Sequence, residues 1–343
     1  MSKFGKRLKL AAYALRYGSL PVNASSKVIP INPDEAAEAR LFFPMPKFFV
    51  FGHARSGTTL LARLLRLHPE VHCNWQAHFF TRPPLLKSLV TDPQVADWLS
   101  RPSNRWNRGD DLSPVVLRAA ADFILERDAR RAGKSVVGDK SPNNLLNGES
   151  VTLLRSIYPD ARLVFIIRDG RDAALSHRFQ NFIDAREQLS KQDIAIRDAF
   201  AKDPHSFFEG QRSVFTPKSI REAAQGWVDN VQQTTHLGRE LFTERFFTLQ
   251  YEDLLKAPFE QISKLWQFLG VNPKGLEDIV VAEMQSNPDA AWQRQKAGAV
   301  AANLEKGRRG SWRDLFTPGD KEVFKEIAGE TLITWNYEQD LDW

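Results

Sequence analysis

Residues 47–65 read KFFVFGHARSGTTLLARLL: an apolar run, a turn bounded by glycines, then leucines at helical spacing. The run 47–52 has the length of a strand, and Leu60, Leu61, Leu64 and Leu65 fall on one helix face. Strand, loop and helix follow in that order. Gly52 and Gly57 have the Gly-x4-Gly spacing of a loop whose backbone amides converge on an anion, and the dipole of the following helix adds positive charge there. Gly57 permits close backbone approach, Ser56 lies beside it, and Thr58 and Thr59 offer hydroxyl donors.

Working outward, strands are expected at 135–139 (SVVGD), 161–167 (ARLVFII) and 245–250 (RFFTLQ). The unbroken apolar character of 161–167 suits a parallel strand covered on both faces. A helix is expected from Asp169 to about Phe182, and another carries Phe259, Ile262, Leu265, Trp266 and Leu269 before Gly270 ends it. Alternating strands and helices predict an α/β fold, a doubly wound parallel sheet with a P-loop-like phosphate-binding loop. Residues 74–134 and 183–245 fit the alternation poorly and are rich in Trp, Arg and Pro. They read as helical insertions that cap the site and contact the second substrate.

The 343 residues suffice for a full core, and 42% hydrophobic with 26% charged residues is the composition of an ordinary globular protein. A net charge of +5 favours an anionic ligand, but no basic tract with interleaved aromatics points to nucleic acid. The single cysteine, Cys73, excludes an internal disulfide and a cysteine-rich metal site. No apolar run reaches membrane-spanning length, so a cytoplasmic enzyme is expected. Residues 1–40 read as a leader before a single domain at 41–343. Phe4, Leu8, Ala11 and Leu15 are helically spaced among basic residues, a pattern suited to a surface helix, a targeting peptide or peripheral contact with an anionic membrane. Oligomeric state is not legible.

Nucleotide triphosphatases carry a lysine where this chain has Thr58; here Arg55 brings the cation, two residues before Gly57. That placement suits a donor with no γ-phosphate. The segment 52–61, GHARSGTTLL, resembles the 5′-phosphosulfate loop of the sulfotransferases that use 3′-phosphoadenosine 5′-phosphosulfate (PAPS). The resemblance implies PAPS as co-substrate with no metal, Arg55 on the 5′-phosphate and bridging oxygen, and in-line transfer of a sulfuryl group to a hydroxyl or amine.

Three further segments are similar to the same family. In YPDARLVFIIRDGRDAALS, 158–176, Arg168 and Ser176 match its 3′-phosphate ligands. In EKGRRGSWR, 305–313, Lys306, Gly307, Gly310 and Trp312 match its C-terminal loop, Glu305 departs from the expected arginine, and Arg308 or Arg309 is left to supply the charge. In TLQYEDLLKAPFEQISKLWQFLGV, 248–271, Tyr251 would lie beside adenine. Lys140, in GDKSP, matches a lysine that contacts the sulfuryl group. The proton acceptor departs from the pattern. Alignment on His68-Pro69-Glu70-Val71 puts Gln76 where one branch has glutamate, and Ser141 and Pro142 stand where another has histidine. His78 is the leading replacement and Asp139 the second. The acceptor class stays open among small molecules, carbohydrates, lipids and peptides. A small-molecule kinase with an altered Walker loop and a non-catalytic nucleotide-binding protein are the competing readings.

Overall fold

The computed structural model describes residues 30–81, 85–143, 148–184, 189–286 and 310–343. Five strands, β1 (Lys47–Phe51), β2 (Val71–Trp75), β3 (Val136–Lys140), β4 (Arg162–Ile167) and β5 (Phe246–Gln250), form one sheet in the order β2-β3-β1-β4-β5. Every pairing is parallel; Phe49 sits between Asp139 of β3 and Leu163 of β4. The chain runs outward from β1 to β2, returns to β3, then crosses to β4 on the other side. Such a reversal opens a crevice beyond the carboxyl ends of the central strands.

The helices among the described residues are α1 (Pro33–Phe42), α2 (Thr58–Arg66), α3 (Leu85–Thr91), α4 (Pro93–Ser100), α5 (Ser113–Arg131), α6 (Glu149–Ile157), α7 (Gly170–Asp184), α8 (Lys191–Lys202), α9 (His205–Phe208), α10 (Pro217–Phe242), α11 (Tyr251–Lys256), α12 (Pro258–Leu269), α13 (Glu277–Ser286), α14 (Trp312–Leu315) and α15 (Pro318–Thr334). None is long and apolar enough to cross a membrane.

Period-2 alternation sorts the strand side chains onto two faces. Phe49, Phe51, Leu163, Phe165 and Ile167 join the core beneath α5, α6, α7 and α10. Phe48, Val50, Val164 and Ile166 join Leu61, Leu64 and Leu65 of α2 and Ile262, Leu265 and Trp266 of α12. Both faces are covered, as the apolar run of β4 predicts. Gly270, at φ 87°, ends α12 in the left-handed conformation expected of it.

One strand, β2, is not among those expected. Its sequence VHCNW alternates: Val71 and Cys73 enter the core while His72 and Asn74 pair with each other, so no continuous apolar run marks it. It is an edge strand, and its last two residues overlap the stretch read as an insertion. As a result His78 follows β2 rather than following α2 directly. Residues 1–29 lie outside the described residues, and with them the amphipathic segment at the start of the expected leader; α1 occupies that leader's end.

Candidate active site

From the end of β1 the chain turns through Gly52–Gly57 into α2. Two residues of this turn are left-handed, Arg55 at φ 72° and Gly57 at φ 88°. The second must be glycine, because a Cβ there would lie 2.2 Å from the Tyr251 ring. Arg55 is held in a conformation costly for a side-chain-bearing residue, as happens where function fixes the backbone. No side chain caps the start of α2 and no acid stands in its first turn, so the amides there keep their positive character for a ligand. Ser56 is fully buried, and its Oγ has no hydrogen-bond partner among the described residues.

Three cations from three elements reach this turn. Arg55 donates from Nε to Ser176 Oγ of α7 at 3.1 Å. Arg168, at the end of β4, donates to the Arg55 carbonyl at 3.2 Å and lies 4.8 Å from the centre of the Tyr251 ring. Lys140, the last residue of β3 and 1% exposed, donates to Thr59 Oγ1 at 3.4 Å. Arg55, Ser56, Gly57, Thr58, Thr59, Lys140, Arg168, Ser176 and Tyr251, separated by nearly 200 positions, thus gather at one crevice.

His78 sits in a turn braced against β3. Gln76 and His78 both have φ 52°, and their amides bond to the Lys140 carbonyl (2.8 Å) and Ser141 Oγ (3.0 Å). Asp139 accepts from the Ala77 amide at 2.9 Å and from Ser141 Oγ at 2.6 Å. Burial pushes its carboxyl up to about 6, against the pull of those two bonds. With both oxygens engaged, Asp139 serves as the brace of the turn that carries His78. The His78 Nδ1 lies 2.7 Å from Thr81 Oγ1, which fixes the ring.

Several residues that sequence reasoning missed hold these parts. Asn143 accepts from the Gly52 amide at 2.9 Å and donates to Thr234 of α10 at 2.8 Å. Trp227 Nε1 donates to the Arg168 carbonyl at 3.0 Å. Asp172 accepts from the amides of Gly310 (2.7 Å) and Trp312 (3.2 Å), which ties the chain after residue 309 to the helix that follows Arg168. None of these pairings has a local signal; each spans more than fifty residues. Lys306, Gly307 and Arg308 lie outside the described residues. A cavity of 280 Å³ opens between α7 and α10, with His53 of the loop and His177, the neighbour of Ser176, in its wall. Burial, and then the nearby His177, hold the His53 imidazole down at about 4, neutral at physiological pH.

Residues 46–207 and 195–274 match the model of the Sulfotransferase family. Among curated proteins, a protein-tyrosine sulfotransferase of Drosophila melanogaster is 26% identical over 66% of this chain and 38% of its own length. Protein-tyrosine sulfotransferase A of Caenorhabditis elegans is 31% identical over 44% of this chain and 40% of its own. Nodulation protein NoeE of Sinorhizobium fredii is 23% identical over 87% and 68%. The chain therefore spans about two fifths of the first two relatives. The solved sulfotransferase domain from the curacin biosynthetic pathway is 18% identical, covering 84% of this chain and 98% of that one, at a TM-score of 0.48. A family match running from residue 46 to residue 274, across the glycine loop, Lys140, Arg168 and Tyr251, makes this chain a member of the sulfotransferase family.

Proposed function

We propose that this chain moves a sulfuryl group from PAPS to an acceptor hydroxyl or amine by in-line displacement. The observation that carries the reading is the convergence of Arg55, Lys140 and Arg168 on one uncapped helix start. In this reading the loop from Ser56 to Thr59 cradles the 5′-phosphate and Arg55 stabilises the leaving phosphate as its charge grows. Lys140 faces the transferring oxygens, Arg168 and Ser176 hold the 3′-phosphate, and Tyr251 lies beside the adenine. Lys306, Gly307 and Arg308 are assigned to the 3′-phosphate from their motif alone. Fixed donors and cations aimed at developing charge are usually the largest catalytic contribution. His78, its ring fixed by Thr81, is the proposed proton acceptor.

The test is transfer of radiolabelled sulfate from PAPS to mixed alcohol and phenol acceptors, with and without a metal chelator. Sulfate transfer that survives the chelator is expected, whereas no sulfate transfer with magnesium-dependent phosphoryl transfer from ATP would favour a kinase, and neither transfer a binding protein. His78→Ala should lower turnover by about a hundredfold and remove the acidic limb of the pH–rate profile. An unchanged profile would discard His78 as the base.

A further inference from the structure

The cavity between α7 and α10 has no part in holding the donor as described above, and four observations say what it is built to hold. The first is position. His53 belongs to the glycine loop, and His177 follows Ser176, the residue that holds Arg55; both line the cavity. It therefore opens beside the glycine loop, at the edge of the donor site.

The second is chemistry. Asn181, Ser219 and Asn230 line the wall with the two histidines and one charge of each sign, Arg178 and Glu222, against one aromatic ring, Phe215. A hydrocarbon acceptor would strip water from these groups and return nothing. A ring carrying several hydroxyls replaces those water contacts bond for bond while its C–H face lies on Phe215.

The third is an unmet acceptor. Asn230 is 6% exposed; its amide nitrogen donates to the Asn143 carbonyl, and its Oδ1 has no hydrogen-bond partner among the described residues. A buried, unmet carbonyl oxygen on a residue of the cavity wall calls for a donor, such as an O–H group.

The fourth is Gly226, inside α10, where glycine weakens a helix. A Cβ there would meet nothing within 4 Å, so packing within the protein does not require glycine; its missing side chain adds room to the cavity. At 280 Å³ the space is at the small end for ligand pockets, about 300 Å³ and upward, and fits one ring rather than a long chain.

We infer that this cavity receives the acceptor, and that the acceptor presents a neutral, polyhydroxylated ring of the sugar class. The inference rests on the sulfuryl-transfer reading above. The acceptor oxygen bonds to sulfur as the bond from sulfur to the bridging oxygen breaks. The hydroxyl proton passes to His78, the base proposed above, and adenosine 3′,5′-bisphosphate leaves.

The experiment uses the full chain with radiolabelled PAPS. The probes are the methyl glycosides of glucose, galactose, mannose and N-acetylglucosamine, with p-nitrophenol and a tyrosine peptide as phenolic probes. At least one glycoside should be sulfated tenfold faster than either phenol. Gly226→Leu, which fills the cavity, should lower glycoside transfer at least tenfold with bisphosphate affinity unchanged within twofold and no loss of thermal stability. Asn230→Ala should do the same to transfer, but its bond to Asn143 could disturb the loop, so Gly226→Leu decides. Bisphosphate binding with phenols preferred, with no glycoside sulfated, or with Gly226→Leu fully active would each overturn the sugar-class cavity alone. Failure to bind the bisphosphate at all would overturn the donor reading, and this inference with it.

Discussion

Lys47 and Arg118 at one end of the sheet, and Arg55, Lys140 and Arg168 at the other, are held by different partners. At the amino ends of the strands, Lys47 lies 2.6 Å from Glu126 and 3.3 Å from Asp122. Arg118, 1% exposed, reaches Asp122 at 2.9 Å, Asp160 at 2.7 Å and the Ile157 carbonyl at 3.2 Å. At the carboxyl ends, Arg55 meets a serine hydroxyl, Lys140 a threonine hydroxyl and Arg168 a backbone carbonyl. Asp172, 3.9 Å from Arg168, already accepts two backbone amides, and Asp139 accepts an amide and a hydroxyl. Charge answered by charge makes a girder. A cation that also donates to oxygens of the glycine loop and its neighbours stands where an incoming anion meets its field.

Substitutions at the two ends should fail differently. Arg118→Ala leaves Asp122 buried beside fewer partners and should cost about 3–5 kcal/mol of stability, read from urea unfolding, with little change in turnover of the folded fraction. A loss of turnover without a loss of stability would break the contrast. Arg55→Ala should show the reverse, at least ~100-fold in turnover with little change in the unfolding midpoint. Near-normal turnover would remove Arg55 from the chemistry. Arg168→Ala should weaken adenosine 3′,5′-bisphosphate by ~10- to 100-fold and adenosine 5′-phosphate far less, measured by calorimetry. Equal losses would place Arg168 elsewhere than on the 3′-phosphate.

The smallest effect concerns Asp139. Because burial raises its carboxyl to about 6, the folded protein keeps this proton where the unfolded chain has lost it. Ionising it therefore costs stability as pH rises from about 4 to about 6, by no more than ~1.4 kcal/mol per pH unit. Asp139→Asn should flatten that part of the stability curve. A curve parallel to the parent's would mean that Asp139 is already ionised at low pH.

What could be read from the sequence follows from how local each signal is. β1, β4 and the glycine loop are contiguous, and their residues carry both fold and chemistry in one stretch. β2 escaped because its only buried apolar positions are Val71 and Cys73, with the polar His72 buried between them. Arg168 and Lys140 were legible through motifs similar to the sulfotransferase family's, and each stands at the carboxyl end of a strand. Asn143, Trp227 and Asp172 were not, since an asparagine or tryptophan that bonds a backbone group far along the chain looks locally like any other. Gly226 is the instructive case: in sequence it reads as a weak point in a helix, and only the empty space above it gives it meaning.

The bonds from Gly310 and Trp312 to Asp172 span 138 and 140 positions. In kinetic terms such contacts are slow to form, because a long loop must close before they contribute anything. β1 and α2 can assemble from neighbouring sequence, but the helix after Arg168 gains its bonds to Gly310 and Trp312 only once the C-terminal region has docked. During refolding, bisphosphate binding should therefore appear after the sheet does. A chain released before its final segment is in place would lack both a finished crevice and the core residues that segment supplies, Trp312, Phe316, Phe324 and Leu332 among them.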